Sequence, residues 1–158
     1  GGERVVPAAR FYHNDGINYL TKQPDEILVA VRLPQPDGWD AVYHKLRRRD
    51  AFDFPVLGVA AWIQWEPGNG KREARTVAQG RIVLGGVASW PQEVPEAGAA
   101  LAGTDLSDEA IAAAADAAYR PAKPMDNTDF DLSWRKQMTR VYVTRALAEL
   151  RQRRPPSR

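Results

Sequence analysis

Residues 56–65, VLGVAAWIQW, form an apolar run rich in β-branched and aromatic side chains, and the Pro67-Gly68-Asn69-Gly70 loop signal stops it. Ten residues are too few to span a bilayer, so the composition and the turn predict a strand. On its N-terminal side, 41–48 (AVYHKLRR) has strand character. Side chains on a strand alternate with period two, which places Tyr43 and Lys45 on the face opposite Val42, His44 and Leu46. On its C-terminal side, 80–88 (GRIVLGGVA) predicts another strand, interrupted at Gly85-Gly86, where a bulge or a close backbone approach is the usual meaning. Further upstream, 26–33 (EILVAVRL) lies between Pro24 and Pro34 and reads as a strand as well.

The character changes after residue 92. Segments 93–101, 108–119 and 132–152 contain helix formers with apolar residues at helical spacing, and the alanine-rich run at 110–118 lies inside the second. Ser107, followed by Asp108 and Glu109, is a good N-cap with acidic residues where the helix dipole favours them. In the last helix Trp134, Met138 and Val141 share one stripe, and Val143, Leu147 and Leu150 another close by, which predicts a wide face packed on the sheet. Strands first and helices afterwards predict an α+β sandwich: an antiparallel sheet of three to four strands followed by three helices on one face. The domain is expected over 1–152, with an extended segment at 1–24 and a disordered Arg/Pro tail at 153–158.

A chain of 158 residues has room for one ordinary domain with a real core. Five tryptophans and mixed charges leaving a net +2 exclude a disordered chain. The basic excess owes much to Arg151, Arg153, Arg154 and Arg158, which make a poor nucleic-acid surface by themselves, so no nucleic-acid partner is inferred. Without cysteine there is no disulfide, no iron–sulfur ligation by this chain and no thiol nucleophile. Absent a membrane-spanning run and a signal-peptide core in the first ten residues, a cytoplasmic setting is expected. A start at Gly1-Gly2 in place of methionine is expected of a processed chain or a fragment.

Little here points to self-contained catalysis. His13 and His44 lack a metal-ligand spacing and read as structural or surface residues. Ser89 and Ser107 lack a nucleophile-elbow context. Asp50, Asp53, Asp126, Asp129 and Asp131 stand where aspartate normally makes turns and caps. Gly85-Gly86 lacks the spacing of a phosphate loop. The basic run His44 to Arg49 has two equal readings: a cation cluster that meets a phosphate or an acidic partner, and a solvated strand end.

The order of motifs carries a resemblance: PDEILVAVRLP at 24–34, YHKLRRRDAFDFPVLGVAAWI at 43–63, RIVLGGVASWP at 81–91, a Leu-Ala-Gly helix ending at 101–103, and SWRKQMTRVYVTRAL at 133–147. Taken together they resemble the C-terminal domain of the FAD-binding medium subunit of molybdenum hydroxylases, the xanthine dehydrogenase and carbon monoxide dehydrogenase family. DGINYLTKQPDEIL and RDAFDFPVLGVAA look most like the β subunit of 4-hydroxybenzoyl-CoA reductase. The resemblance implies a domain that is not catalytic alone and closes over FAD held mostly by an N-terminal domain. Its implied partners are that domain, a small subunit with [2Fe-2S] clusters and a large molybdopterin subunit. Two cofactor contacts are implied: Leu28 packing against the flavin and Lys45 supplying a cation, with no catalytic and no metal-binding residue. For Leu28 an ordinary core position is an equal expectation.

Two other functions compete. An interaction or dimerisation module would keep the sandwich and bind no flavin. A nucleic-acid binder using Arg47 to Arg49 would show steep salt dependence.

Overall fold

The computed structural model describes residues 2–35, 38–49, 52–67, 76–128 and 130–153. Strands β1 (Trp39–Leu46), β2 (Leu57–Trp65), β3 (Val77–Gly85) and the short β4 (Gln92–Glu93) form one sheet in that order, every neighbour antiparallel. The helices α1 (Pro95–Ala99), α2 (Asp108–Tyr119) and α3 (Leu132–Gln152) follow in sequence. Three of the expected strands and all three helices are present, with shifted ends. Glu93, expected to open a helix, instead pairs with Val83, and the helix starts at Pro95, which needs no N–H partner in a first turn.

Period two sorts the sheet into two faces. Leu57, Val59, Ala61 and Ile63 on β2 are buried, as are Ile82 and Leu84 on β3 and Val42 on β1, and these face the helices. α3 lies across β1 and β2, α1 lies on β3, and α2 packs between α1 and α3. Two contacts fix this layer. His44 Nε2 and Glu149 Oε2 lie 2.6 Å apart, tying β1 to α3. That contact with His44, reinforced by Arg153, holds the Glu149 carboxyl below the usual range. At the other side, glycines face each other where α1 meets β3: a Cβ on Gly98 would lie 2.3 Å from the carbonyl oxygen of Gly80.

The helix ends form as expected. Ser107 Oγ accepts from Ala110 N at 3.3 Å, and Asp131 Oδ1 accepts from Trp134 N at 2.7 Å. Along α3 the buried stripe differs from the expected one. Trp134 is 38% exposed and stacks on Phe130, while Arg135 and Thr139 take the core positions ahead of Val143, Ala146, Leu147 and Leu150. Arg153, assigned to a tail, caps α3 and donates to Ala41 O and Glu149. Residues 154–158 of that tail, Asp50, Asp129 and the loop signal at 68–70 lie outside the described residues. Among the described residues no helix is long and apolar enough to cross a membrane.

The segment at 26–33 departs from its expected strand. It belongs to none of the strands, and Ile27, Leu28, Val29, Val31 and Leu33 are 62–85% exposed. The reason is in its composition. Residues 27–31 are apolar without a break, which suits a strand buried on both faces, and the described sheet offers cover on neither. Leu28 is therefore not an ordinary core leucine. A local clasp holds the base of this arm. Arg4 Nη2 donates to Glu26 Oε2 at 2.7 Å and to Thr21 O at 3.1 Å, and Lys22 Nζ donates to Glu26 O at 2.8 Å. Upstream, the segment expected to be extended carries a 3-10 turn (Ala8–Arg10) and a bridge between Tyr12 and Leu20.

Arg4, with Gln23 N, draws the Glu26 carboxyl down to about 2. A lowered carboxylate contributes order above its unfolded value and loses that contribution as pH falls through the folded one. Protection of the amides over residues 4–26, normalised to the intrinsic exchange rate at each pH, is expected to be retained at pH 4 and reduced at pH 2, read by hydrogen–deuterium exchange. Equal protection at both values would remove the clasp.

Candidate functional site

The sheet face turned away from the helices has its own pattern. Register places Trp39, Ala41, Tyr43 and Lys45 of β1 opposite Gln64, Trp62, Ala60 and Gly58 of β2, and these opposite Gln79, Arg81, Val83 and Gly85 of β3 where they pair. Lys45, Gly58 and Gly85 thus form one row across three strands, at the end where β1 finishes and β2 begins. Lys45 points away from the helix-facing Leu46, as alternation predicts.

Of the two glycines, Gly85 leaves a shelf of open backbone, while Gly58 is buried. A Cβ on Gly85 would meet nothing nearer than the Gly58 Cα at 4.0 Å. A Cβ on Gly58 would lie 2.9 Å from the Tyr43 hydroxyl, so that ring leans over Gly58 and keeps its place only because no side chain stands there. Tyr43 is 61% exposed. The result is a strip that is open at Gly85, covered by the Tyr43 ring at Gly58 and edged by the Lys45 ammonium. Such a strip suits a planar group that carries or acquires negative charge, since the backbone permits close approach and the ammonium supplies the opposite sign.

Electrostatics single out Lys45 on this face. Arg81 binds Glu93 through two bonds of 2.9 Å each, which hold the Glu93 carboxyl below its usual range and raise the Arg81 guanidinium. That charge is satisfied. Among the described residues Lys45 has no carboxylate partner. Beyond the strand end, Arg49 meets Asp53 at 3.5 Å, and Asp53 Oδ1 accepts from Phe54 N at 2.9 Å, the turn-making role expected of it. Phe52 and Phe54 beside it are almost wholly exposed.

Of the two expected cofactor contacts, Lys45 stands in the sheet and Leu28 stands on the arm, 62% exposed. Among the described residues the arm's hydrogen bonds run to residues 3–4 and 22–23 and none runs to β1. The structure thus leaves Leu28 exposed and Lys45 half-buried, without joining them. His44 is absorbed by the clasp to Glu149, and no group of three or more potential metal ligands forms among the described residues.

Sequence reading did not find the glycine row or a fully buried guanidinium, Arg135. Both had a signal. Gly58 lies opposite Lys45 once the β1–β2 register is known, and Arg135 shares four-residue spacing with Thr139, Val143 and Leu147.

Comparisons with known proteins place this architecture. The family description CO dehydrogenase flavoprotein C-terminal domain matches residues 41–150. The aldehyde oxidoreductase FAD-binding subunit PaoB of Escherichia coli K12 is 30% identical over 94% of this chain and 42% of its own length. The carbon monoxide dehydrogenase medium chain of Hydrogenophaga pseudoflava is 30% identical over 92% of this chain and 48% of its own. Among solved structures, reconstituted CO dehydrogenase from Oligotropha carboxidovorans superposes with a TM-score of 0.76 at 28% identity, over 92% of this chain and 48% of that one. The chain thus spans about half the length of the relatives it matches. With the sheet, the helix order and residues 41–150 all in agreement, the chain belongs to the CO dehydrogenase flavoprotein C-terminal domain family.

Proposed function

We propose that this chain is the C-terminal domain of the FAD subunit of a molybdopterin-dependent oxidoreductase, closing over a flavin held mainly by an N-terminal domain. The observation that carries the reading is the Lys45–Gly58–Gly85 row, where the backbone at Gly85 is open, the Tyr43 ring lies over Gly58 and Lys45 stands at the edge. Residues present on that face fit a flavin: the open backbone of Gly85 for a planar ring or pyrophosphate, Lys45 for negative charge, and the Tyr43 ring and hydroxyl for stacking and donation. Bound there, FAD would supply storage and transfer of electrons between the molybdenum and iron–sulfur centres of partner subunits and an external acceptor. This chain's part is to orient it, exclude water and oppose negative charge. A cytoplasmic heteromeric complex is the setting proposed. Within it, the motifs at 15–28 and 49–61 favour a 4-hydroxybenzoyl-CoA reductase-like enzyme.

The exposed arm fits the same reading. An apolar stretch uncovered on both faces is poorly suited to water and suits a surface covered by another domain. The arm presents Leu28 to that cover, so one movement would bring it and Lys45 to one ligand. A module that keeps the sandwich without flavin would use the arm and leave Lys45 idle.

Lys45→Ala in the complete FAD subunit, assembled in its complex, tests the reading. Loss of a charge-assisted contact is expected to weaken FAD retention by about 10- to 100-fold, from roughly 1.5–3 kcal/mol for such a bond. Retained flavin is read from absorbance after desalting. FAD affinity equal to wild type would remove Lys45 from the site, and a complete complex without flavin would favour the interaction module.

A further inference from the structure

Arg135 is 1% exposed, and its four hydrogen bonds all end on neutral oxygens. Nη1 donates to Met125 O at 2.6 Å and Asn127 Oδ1 at 2.9 Å. Nη2 donates to Val56 O at 3.1 Å and Gly86 O at 2.7 Å. A buried guanidinium is costly unless paired, and its burial here pushes its pKa below the ordinary value. Leaving such a charge uncompensated would be strongly destabilising, so the oxygens that receive its hydrogen bonds are held where they stand.

The groups joined by Nη2 are the two backbones that carry the glycine shelf. Val56 stands two residues before Gly58, and Gly86 follows Gly85 directly. They press on each other: Gly86 has φ +75°, and a Cβ there would lie 3.1 Å from Pro55 O and 3.2 Å from Val56 O. Two carbonyl oxygens directed at one place repel unless a donor stands between them, and Nη2 is that donor. Val56 N also donates to Leu46 O at 2.9 Å, next to Lys45. The Nη2 pair thus borders all three members of the row, while Nη1 anchors the α2–α3 connection beneath.

Resting on the flavin reading above, we infer that Arg135 is a positioning residue for the cofactor face. From the helix layer it sets the height and spacing of Gly58 and Gly85 relative to Lys45, without touching the cofactor. The fork geometry is what matters. A lysine keeps the charge but offers one nitrogen, which cannot reach the acceptors at both ends of the guanidinium fork.

The test uses the complete FAD subunit in its assembled complex, with wild type, Arg135→Lys, Lys45→Ala and the double variant. FAD retention, the visible circular dichroism of the bound flavin and the melting temperature are recorded for each. Arg135→Lys is expected to weaken FAD retention about 10-fold and to change the flavin dichroism. In the double variant the two losses should fall short of their product, because both act on one face. Wild-type retention and dichroism in Arg135→Lys, whatever its melting temperature, would overturn the inference, and so would full multiplicativity with Lys45→Ala. Should Arg135→Lys fail to assemble, Asn127→Ala removes one acceptor and keeps the buried cation. A smaller weakening with altered dichroism then supports positioning, and an unchanged flavin overturns it. Failure of Lys45→Ala to affect flavin strikes the flavin reading itself, whereas failure confined to Arg135 leaves that reading standing.

Discussion

Gly98→Ala is expected to lower the melting temperature of the chain by roughly 4–8 °C, from a loss of about 2 kcal/mol at about 2–4 °C per kcal/mol for a chain this size. The added methyl would lie 2.3 Å from Gly80 O and 3.1 Å from Gly80 C, atoms of a paired strand that cannot step aside as a flexible side chain would. α1 must lift from β3 or β3 must bend. Overpacking of this kind costs about 1–3 kcal/mol, and contact with backbone belongs at the upper end. Against it stands the helix preference for alanine over glycine, about 1 kcal/mol, so sterics win. Gly16→Ala is the control, because a Cβ there meets nothing within 4 Å. A thermal melt that leaves both variants at the wild-type temperature would show that α1 does not sit on β3 as described.

That contact illustrates what sequence could and could not supply. The strands at 41–48, 56–65 and 80–88 were legible because alternation and turn residues are local signals, and Lys45 was assigned its face by period two alone. Ser107 and Asp131 were legible as caps or turn-makers for the same local reason. The pairing of Gly80 with Gly98, and of Gly58 with Gly85, depends on which elements meet across the fold, and a lone glycine carries no record of its partner. Arg135 was concealed differently: arginine is almost never fully buried, so its place on the Val143 stripe counted for less than its charge. The segment at 26–33 misled because an apolar run predicts cover without saying which molecule supplies it. Leu28 and Lys45 themselves came from motif resemblance, and the sheet then gave Lys45 a physical setting that spacing did not contain.

Leu57→Ala should be the most damaging single truncation near the site. Leu57 opens β2, is fully buried, pairs with Leu46 and faces the helix layer immediately before Gly58. Removing its side chain leaves a cavity beneath the row, and such changes cost about 2–5 kcal/mol according to how far the site collapses. Collapse here is limited, because Arg135 holds Val56 O on one side and the β1 and β3 ladders hold Gly58 on the other. A value near 3 kcal/mol therefore corresponds to a melting point lower by roughly 6–12 °C. Val31→Ala removes comparable apolar bulk from the arm, where the side chain is 70% exposed, and is expected to change stability by no more than about 0.5 kcal/mol. The pair of chemical denaturation curves separates two uses of the same chemistry: Leu57 holds the domain together, whereas Val31 waits for a surface outside it. Equal losses would mean that the arm packs on this domain in solution. Covered by its own domain, the arm would need no second domain to hide it, and the proposed contact of Leu28 with the cofactor would lose its support.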